Sequence, residues 1–345
     1  MKVGMIGAGR WAKVHKQALE DAGAELESVL VSSESSRKRV ENEWGVRATT
    51  DLQKFLGYGS EAVIVVSPNY LHGDHATAAL NAGKHVLVEK PMATTLEDCD
   101  RMLEAAKRAD KVLAVGLEMR VFTLFERVKK MIDAGDIGKP VHLTLDLWRR
   151  PYRTGAGGWK TDPEKLGSSI LEEPIHYLDL ARWYLLETSG EPASLQAWAN
   201  SREGHEYLNE NLDVRLEYAD GTQALVTRSI AAFEHRVTLQ IIGEKGSLRA
   251  EWSGEMDLDE NPFARLWLHN SGDRDEPAER VEVEQKTGHA FDVPRQTKAF
   301  LEAIETGTRP PATGEDGRAS VALCLAVEAA LEKGEVAQLP RYLSS

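Results

Sequence analysis

The residues that most restrict the fold of this chain are the glycines close to its first residue. Residues 2–6 form a short apolar run that predicts a β-strand, and a helical pattern begins at about residue 12. Between them stands Gly7-Ala8-Gly9-Arg10-Trp11, a glycine turn in the context that phosphate-binding loops require. Gly7 allows the tight turn, and Gly9 lets the backbone approach a pyrophosphate. We therefore predict a parallel α/β sheet that binds a dinucleotide through Gly7, Gly9, Arg10 and Trp11.

The end of the second predicted strand bears on the choice of dinucleotide. NAD-binding folds usually carry an Asp or Glu there, about 20 residues beyond the glycines. Here the strand at 26–31 is followed by Ser32, Ser33 and, slightly later, Arg37. Two hydroxyls and a cation suit a 2′-phosphate held by charge-assisted hydrogen bonds, so we predict NADP. The alternative is NAD, with Glu34 on the ribose and Arg37 as a solvated helix residue.

A third motif stands where another parallel strand would end. The strand predicted at 62–66 is followed by Ser67-Pro68-Asn69, and His72 comes shortly after. Ligands of open parallel sheets bind at the carboxyl ends of strands, so these residues would line the nicotinamide end of the crevice. For His72, local hydrogen bonds at the start of a helix are an equally good interpretation.

The stretch Glu89-Lys90-Pro91 directly follows the apolar run at 85–88. A lysine at a strand end is a candidate acid, base or hydrogen-bond donor, and the alternative is an ordinary loop lysine in solvent. We predict that Glu89 and Lys90 contact the cofactor and that Lys90 also takes part in catalysis.

The pattern of elements predicts two domains. Up to residue 120, apolar runs alternate with helical stretches, as in βαβ units. Beyond it, turn signals at 220–221 and 243–246 separate alternating runs, which predicts antiparallel hairpins with one face covered by helices. We therefore assign 1–120 to a dinucleotide-binding domain and 121–345 to substrate binding and oligomerisation. The C-terminal helices are expected to pack back toward the first domain.

Composition excludes several classes of protein. The net charge of -13 argues against nucleic acid or an anionic membrane as a partner. No apolar run approaches the roughly 20 residues of a membrane span, and no signal peptide is apparent. The 2 cysteines form no spaced framework, and no Cys/His cluster suggests a metal. We expect a cytoplasmic protein without a metal site.

A second group of titratable residues lies within 168–184. Pro174 suits the first turn of a helix, and Glu172, His176 and Asp179 would then lie close together. A histidine beside carboxylates is suited to proton transfer near neutral pH. A structural histidine bonded to Asp179 is the alternative, and the local sequence does not separate the two.

Taken in order, these motifs resemble those of the Gfo/Idh/MocA oxidoreductase family, named for glucose–fructose oxidoreductase, inositol dehydrogenase and a rhizopine-catabolism protein. The resemblance covers nearly the whole chain. Its landmarks are Gly7-Ala8-Gly9, Ser67-Pro68-Asn69, Glu89-Lys90-Pro91, Gly135 to Gly138, Trp159 with Asp162-Pro163, His176 with Asp179, Ile242-Gly243 with Gly246, and residues 313–317. It implies an α/β protein with an N-terminal Rossmann domain and a C-terminal α+β domain with a large open, mostly antiparallel sheet. In the family, that sheet commonly forms a homodimer or homotetramer interface.

The resemblance also implies a reaction. Lys90 and His176 match the family's catalytic pair, and Glu172 stands where inositol dehydrogenases carry an aspartate. The implied activity is hydride transfer between a nicotinamide and a carbon of a sugar, a sugar derivative or an inositol. His176 would move the proton, Lys90 would stabilise the substrate oxygen, and Glu172 would orient a neighbouring hydroxyl. The alternatives are a dinucleotide sensor without turnover and a glycosidase that uses NAD transiently.

The candidate substrate contacts are all cationic or aromatic residues near the predicted site. Such side chains suit a carbohydrate with several hydroxyls. The alternatives are packing between domains for the tryptophans and surface ion pairs for the arginines. The candidates are Arg120, Trp148, Arg149, Arg150, Tyr152, Trp159 and Lys160.

Overall fold

The computed structural model describes residues 1–150, 168–254, 259–270, 275–283 and 286–343. These residues fall into two compact units. The first contains Met1–Glu118 and Val293–Val321, and the second contains 119–150, the described part of Ser168–Asp292, and 322–343. The first unit therefore ends at Glu118, close to the predicted boundary at residue 120, and it also takes in a stretch near the end of the chain.

The first unit is built on a parallel sheet of six strands in the order β3-β2-β1-β4-β5-β6. The order reverses between β1 and β4, and sheets of this kind bind ligands at that reversal, outside the carboxyl ends of the strands. This is the predicted Rossmann arrangement. The strands are β1 (Lys2–Ile6), β2 (Glu25–Leu30), β3 (Arg47–Thr49), β4 (Ala62–Val65), β5 (His85–Glu89) and β6 (Leu113–Gly116).

Local sequence explains where the helices of this unit begin. The side chains of Ser33, Asp51 and Thr95 each accept a hydrogen bond from a backbone N–H in the first turn of the helix that follows. No such side chain caps the helix that follows the glycine turn. The helices are α1 (Arg10–Asp21), α2 (Glu34–Trp44), α3 (Leu52–Leu56), α4 (His72–Asn81) and α5 (Leu96–Ala109).

The stretch Val293–Val321 completes the core of the first unit. Phe300 and Leu301 belong to the same buried cluster as Val3, Met5 and Leu19. The N–H of Val115 in β6 donates to the carbonyl of Ala312 at 3.1 Å, so this stretch also pairs with the outer edge of the sheet. The helices that carry it are α9 (His289–Thr306) and α10 (Gly314–Lys333), each of which continues into the second unit.

The second unit contains a sheet of nine strands in the order β14-β13-β12-β11-β7-β10-β9-β8-β15. All its neighbouring strands are antiparallel except β7 and β10. The large, mostly antiparallel sheet and both predicted hairpins, β9/β10 and β11/β12, are thus confirmed. The strands are β7 (Pro140–Trp148), β8 (Pro192–Asn200), β9 (Asn211–Tyr218), β10 (Gln223–Ser229), β11 (His235–Gly243), β12 (Ser247–Gly254), β13 (Phe263–His269), β14 (Glu279–Val281) and β15 (Ala337–Gln338).

Burial alternates along these strands, as expected of a sheet covered on one side. Val214, Leu216 and Tyr218 of β9 face the covered side and are buried. Helix Pro174–Ser189 (α8) packs on β7 and β10, and helix Thr123–Asp133 (α6) packs on β12 and β13. On the sheet's strands, Trp148 and Ile242 are among the apolar residues that remain exposed, at 42% and 50%. The helices of this unit are α6 (Thr123–Asp133), α7 (Ser169–Glu172), α8 (Pro174–Ser189) and α11 (Pro340–Leu343).

No helix in the described parts of the chain is both long enough and apolar enough to cross a membrane.

Candidate active site

The glycine turn has the backbone geometry of a phosphate-binding loop. Gly7 has φ +110°, and a Cβ placed on it would lie 2.6 Å from the carbonyl oxygen of Val66, so no other residue fits. A Cβ on Gly9 would meet nothing within 4 Å, which leaves open space above the loop. Gly9 precedes α1, whose first N–H groups have no side-chain cap. These groups fit a pyrophosphate, because a helix N-terminus attracts anions. Arg10 is exposed and Trp11 is half-buried at the same turn.

At the end of β2, two of the predicted phosphate ligands, Ser33 and Arg37, already have partners on the helix that follows. Ser33 accepts a hydrogen bond from the N–H of Ser36 at 3.2 Å, whereas Ser32 is exposed. The Arg37 guanidinium donates to Glu34 at 2.8 Å and 2.5 Å and to Glu41 at 2.6 Å. The hydrogen bond from Arg37 lowers the pKa of Glu34, and both carboxylates raise the pKa of Arg37. Arg37 thus lies on the helix after β2, as the alternative interpretation has it, but it is paired with two carboxylates of that helix.

His72 joins the loops that follow β4 and β5. Its Nδ1 lies 2.7 Å from the carbonyl oxygen of Pro91, and its Nε2 lies 2.7 Å from that of Ser67. These contacts extend beyond its own helix start, so His72 holds Ser67-Pro68-Asn69 against the Lys90-Pro91 segment. The ring is 1% exposed. Burial lowers the pKa of His72, and the hydrogen bonds with the two carbonyl groups oppose that shift.

Lys90 directly follows β5 at the ligand-binding edge of the sheet and is half-buried. Its neighbour Glu89 is 4% exposed, and Glu89 Oε1 lies 2.8 Å from Nε2 of His15 in α1. This differs from the predicted cofactor contact, because the carboxylate of Glu89 points into the interior of the unit. Sequence reasoning missed His15, whose signal was its place beside Ala12, Ala18 and Leu19 on the buried face of α1.

In the second unit, Glu172 ends α7 and His176 lies in the first turn of α8, which Pro174 begins as predicted. Both side chains are buried, at 4% and 3% exposure. Nε and Nη2 of Arg120 each donate to the carboxylate of Asp179 at 2.7 Å. Arg120 is 3% exposed, so its guanidinium supports α8, in contrast to the substrate contact predicted for it.

The other predicted substrate contacts that the structure describes each contact a residue of the second unit. Arg149 forms an ion pair with Glu173, and Nε of Arg150 donates to the carbonyl of Phe233 at 2.7 Å. The Trp148 ring packs edge-on against Phe233, with centroids 6.2 Å apart. Tyr152, Trp159 and Lys160 lie outside the described residues. Within the described ranges, no group of three or more His, Cys, Asp and Glu side chains could hold a metal ion.

Comparison with known families gives two matches. Residues 1–117 match the model of an oxidoreductase family with an NAD-binding Rossmann fold, and residues 125–249 match the GFO/IDH/MocA C-terminal domain. The chain belongs to the Gfo/Idh/MocA family. The predicted resemblance is confirmed, and the chain is an oxidoreductase with an NAD-binding Rossmann domain.

Its relatives are similar over almost their full length. A 1,5-anhydro-D-fructose reductase from Ensifer adhaerens is 28% identical over 97% of this chain and 98% of its own. A myo-inositol 2-dehydrogenase from Thermotoga maritima is 25% identical over 99% and 100%. Among solved structures, a probable dehydrogenase from Thermotoga maritima has a TM-score of 0.81 at 25% identity, covering 99% of this chain and 100% of that one. A levoglucosan dehydrogenase in complex with NADH shares the fold, with a TM-score of 0.85 at 20% identity over 99% of each chain.

Proposed function

We propose that this chain is an NAD(P)-dependent dehydrogenase or reductase acting on a hydroxyl or keto carbon of a sugar, a sugar derivative or an inositol. The observation that carries the proposal is the place of Lys90, directly after β5 of a Rossmann sheet whose glycine turn follows β1. In such sheets the ligand lies beyond the carboxyl ends of the strands. The reductase and the inositol dehydrogenase named above support a cyclic polyhydroxylated substrate.

Three residues share the chemistry in this proposal. A bound nicotinamide would accept or supply the hydride. His176 takes the proton of the substrate hydroxyl on oxidation and returns it on reduction. Lys90 donates a hydrogen bond to the same oxygen and stabilises its developing negative charge. Glu172 orients a neighbouring hydroxyl of the substrate. Further candidate substrate contacts are Arg149, Trp159 and Lys160.

The proposal is tested by incubating a panel of sugars, anhydrosugars and cyclitols with each dinucleotide while following the absorbance of the reduced nicotinamide. His176→Ala should lower kcat about 10²–10⁴-fold and leave dinucleotide binding intact, because it removes only the proton carrier. His142→Ala is the matched control, since His142 is a half-buried histidine of β7 in the same unit. Parent-like turnover in His176→Ala would remove the role assigned to His176.

The same panel separates the two alternative functions. A sensor would bind the dinucleotide and turn over none of the substrates. An NAD-dependent glycosidase would cleave glycosides with no net change in the reduced cofactor. The presence of both Lys90 and His176 favours the oxidoreductase over the sensor.

For the cofactor we propose NADP, on the absence of a carboxylate at Ser32 and Ser33. Arg37 would then exchange one of its carboxylate partners, Glu34 or Glu41, for the 2′-phosphate. The measurement is the ratio of kcat/KM with NADP to that with NAD, in the parent and in Arg37→Gln. The ratio should exceed one in the parent and fall in the variant, and a parent that prefers NAD would overturn the assignment.

We also propose that the open face of the nine-stranded sheet joins copies of this chain into a homodimer or homotetramer. The exposed Trp148 and Ile242 support it, because apolar side chains on a sheet face favour association. Light scattering should give a multiple of the chain mass, and Ile242→Lys should reduce it. A monomeric parent at micromolar concentration would contradict this proposal. The cytoplasmic location remains a prediction.

A further inference from the structure

A polar network is buried inside the first unit, next to Lys90 in the chain. Its centre is the carboxylate of Glu89, whose Oε1 lies 2.8 Å from Nε2 of His15 and 3.4 Å from Nε2 of Gln296. Nδ1 of His15 lies 3.0 Å from the hydroxyl of Thr297, and that hydroxyl donates to the carbonyl of Val293. The network therefore ties β5 to two helices, α1 and α9.

The contacts define what the His15 ring does. A carboxylate only accepts hydrogen bonds, so Nε2–H of His15 donates to Glu89. Nδ1 of His15 faces the Thr297 hydroxyl, which can accept or donate a hydrogen bond. Both side chains are enclosed, because His15 is 0% exposed and Glu89 is 4% exposed.

Packing alone gives no reason for an acid at this position. Burial of a carboxylate carries a desolvation penalty, and apolar residues of similar size often replace buried polar pairs with no loss of stability. The carboxylate is also closely confined, because a Cβ on Gly116 of β6 would lie 2.8 Å from Glu89 Oε2. Departures from local packing rules of this kind are expected at functional positions.

The titratable groups that face Glu89 are His15, Lys90 and His72. Burial raises the pKa of Glu89, but the hydrogen bond from His15 and the electrostatic influence of these groups outweigh it, so the pKa is lowered overall. Glu89 is thus an anion in the fold and lies beside Lys90 in the chain. His15 stands on α1, whose N-terminus forms part of the dinucleotide loop.

We infer that His15 and Glu89 form a positioning pair that fixes Lys90 relative to the helix carrying the dinucleotide loop. Glu89 and His15 act through Lys90 and do not contact the substrate. The inference rests on the proposed function, since it is Lys90 that meets the substrate oxygen there. It goes further than the proposed function because it assigns a joint role to Glu89 and His15.

Three variants disturb the pair in different ways. His15→Ala removes the donor, Glu89→Gln removes the charge, and Gly116→Ala crowds the carboxylate while keeping its charge. Glu27→Gln is the matched control, because Glu27 is another buried acid of the same sheet, 8% exposed, that accepts from the N–H of Gly59 at 3.2 Å. It lies near the start of β2, at the opposite end from the strand tips.

Each of the three variants should lower kcat about 10²-fold, because misplacing a catalytic group by about 1 Å has an effect of that size. Dinucleotide dissociation constants should stay within about threefold of the parent, so that the loss appears in kcat and not in binding. In His15→Ala the acid limb of the activity profile should move to higher pH, because burial then raises the pKa of Glu89 without the opposing hydrogen bond. A parent-like kcat in all three variants, with an unmoved acid limb in His15→Ala, would overturn the inference. An equal loss of kcat in Glu27→Gln would also overturn it.

A second readout needs no turnover. Lysines are methylated with ¹³C, and the Lys90 resonance is assigned by its loss in Lys90→Arg. Its chemical shift should move in His15→Ala and Gly116→Ala and stay at the parent value in Glu27→Gln. An unchanged Lys90 resonance in both variants would overturn the inference. If the parent turned over no polyol at all, the proposed function would fail while this readout still decided the positioning role.

Discussion

Replacing Arg120 by methionine would leave the Asp179 carboxylate without the guanidinium that now neutralises it. Arg120 is 3% exposed and Asp179 is 1% exposed, and two hydrogen bonds of 2.7 Å join them. Removal of one partner from a buried pair costs about 3–5 kcal/mol. At about 2–4 °C per kcal/mol for a unit of this size, the melting temperature should fall by about 6–20 °C.

The assay is thermal unfolding followed by circular dichroism, with urea titrations for the free energy of unfolding. The matched control is Arg182→Met on the same helix, which leaves Glu191 without its guanidinium partner. That pair is also doubly hydrogen-bonded, but the remaining Glu191 side chain is 42% exposed, so the loss of the pair should cost about 1 kcal/mol or less. Equal losses in Arg120→Met and Arg182→Met would refute the reasoning, because burial of the remaining carboxylate would then have no influence on the cost.

Three further predictions concern other parts of the chain. Gly7→Ala should weaken dinucleotide binding at least about tenfold by calorimetry, because its Cβ would lie 2.6 Å from Val66 O at a positive φ. The hydrogen bond from Arg202 lowers the pKa of Glu210 from 4.5 to about 2, so its stabilisation is present above pH 4.5 and is lost as the pH falls toward 2. Melting temperatures should therefore fall more steeply over that range in the parent than in Glu210→Gln. His72→Ala should speed hydrogen exchange at residues 67–72 and 90–92 but not in α2.

The elements that the sequence predicted correctly depend on local signals. Gly7 and Gly9 are informative by themselves, because glycine has the backbone freedom that a phosphate-binding turn needs. A hairpin turn such as that at Gly221 indicates a strand on either side. Lys90 could be placed at the end of β5 because an apolar run and a proline surround it. These signals were enough for the Rossmann sheet, the second sheet and the family. The catalytic roles of Lys90, His176 and Glu172 stay predictions.

Contacts between distant residues could not be predicted in the same way. His15 and Glu89 are 74 residues apart, Arg120 and Asp179 are 59 apart, and Glu89 and Gln296 are 207 apart. Periodicity shows which face of a helix is buried but does not identify the partner across the core.

Arg37 is a different case, because its partners were within reach of sequence reasoning. Glu34 and Glu41 stand three and four residues away on the same helix, where opposite charges are neighbours. That spacing favours the local ion pairs that the structure contains.

The return of Val293–Val321 to the first unit has a consequence for how the chain acquires its structure during synthesis. Phe300 and Leu301 join a core begun by Val3 and Met5, so that core stays incomplete until most of the protein has been translated. All six strands of the nucleotide sheet emerge from the ribosome long before Val293–Val321 does. An enzyme arranged in this way finishes both of its units at nearly the same time, which limits the period in which one finished unit waits for the other.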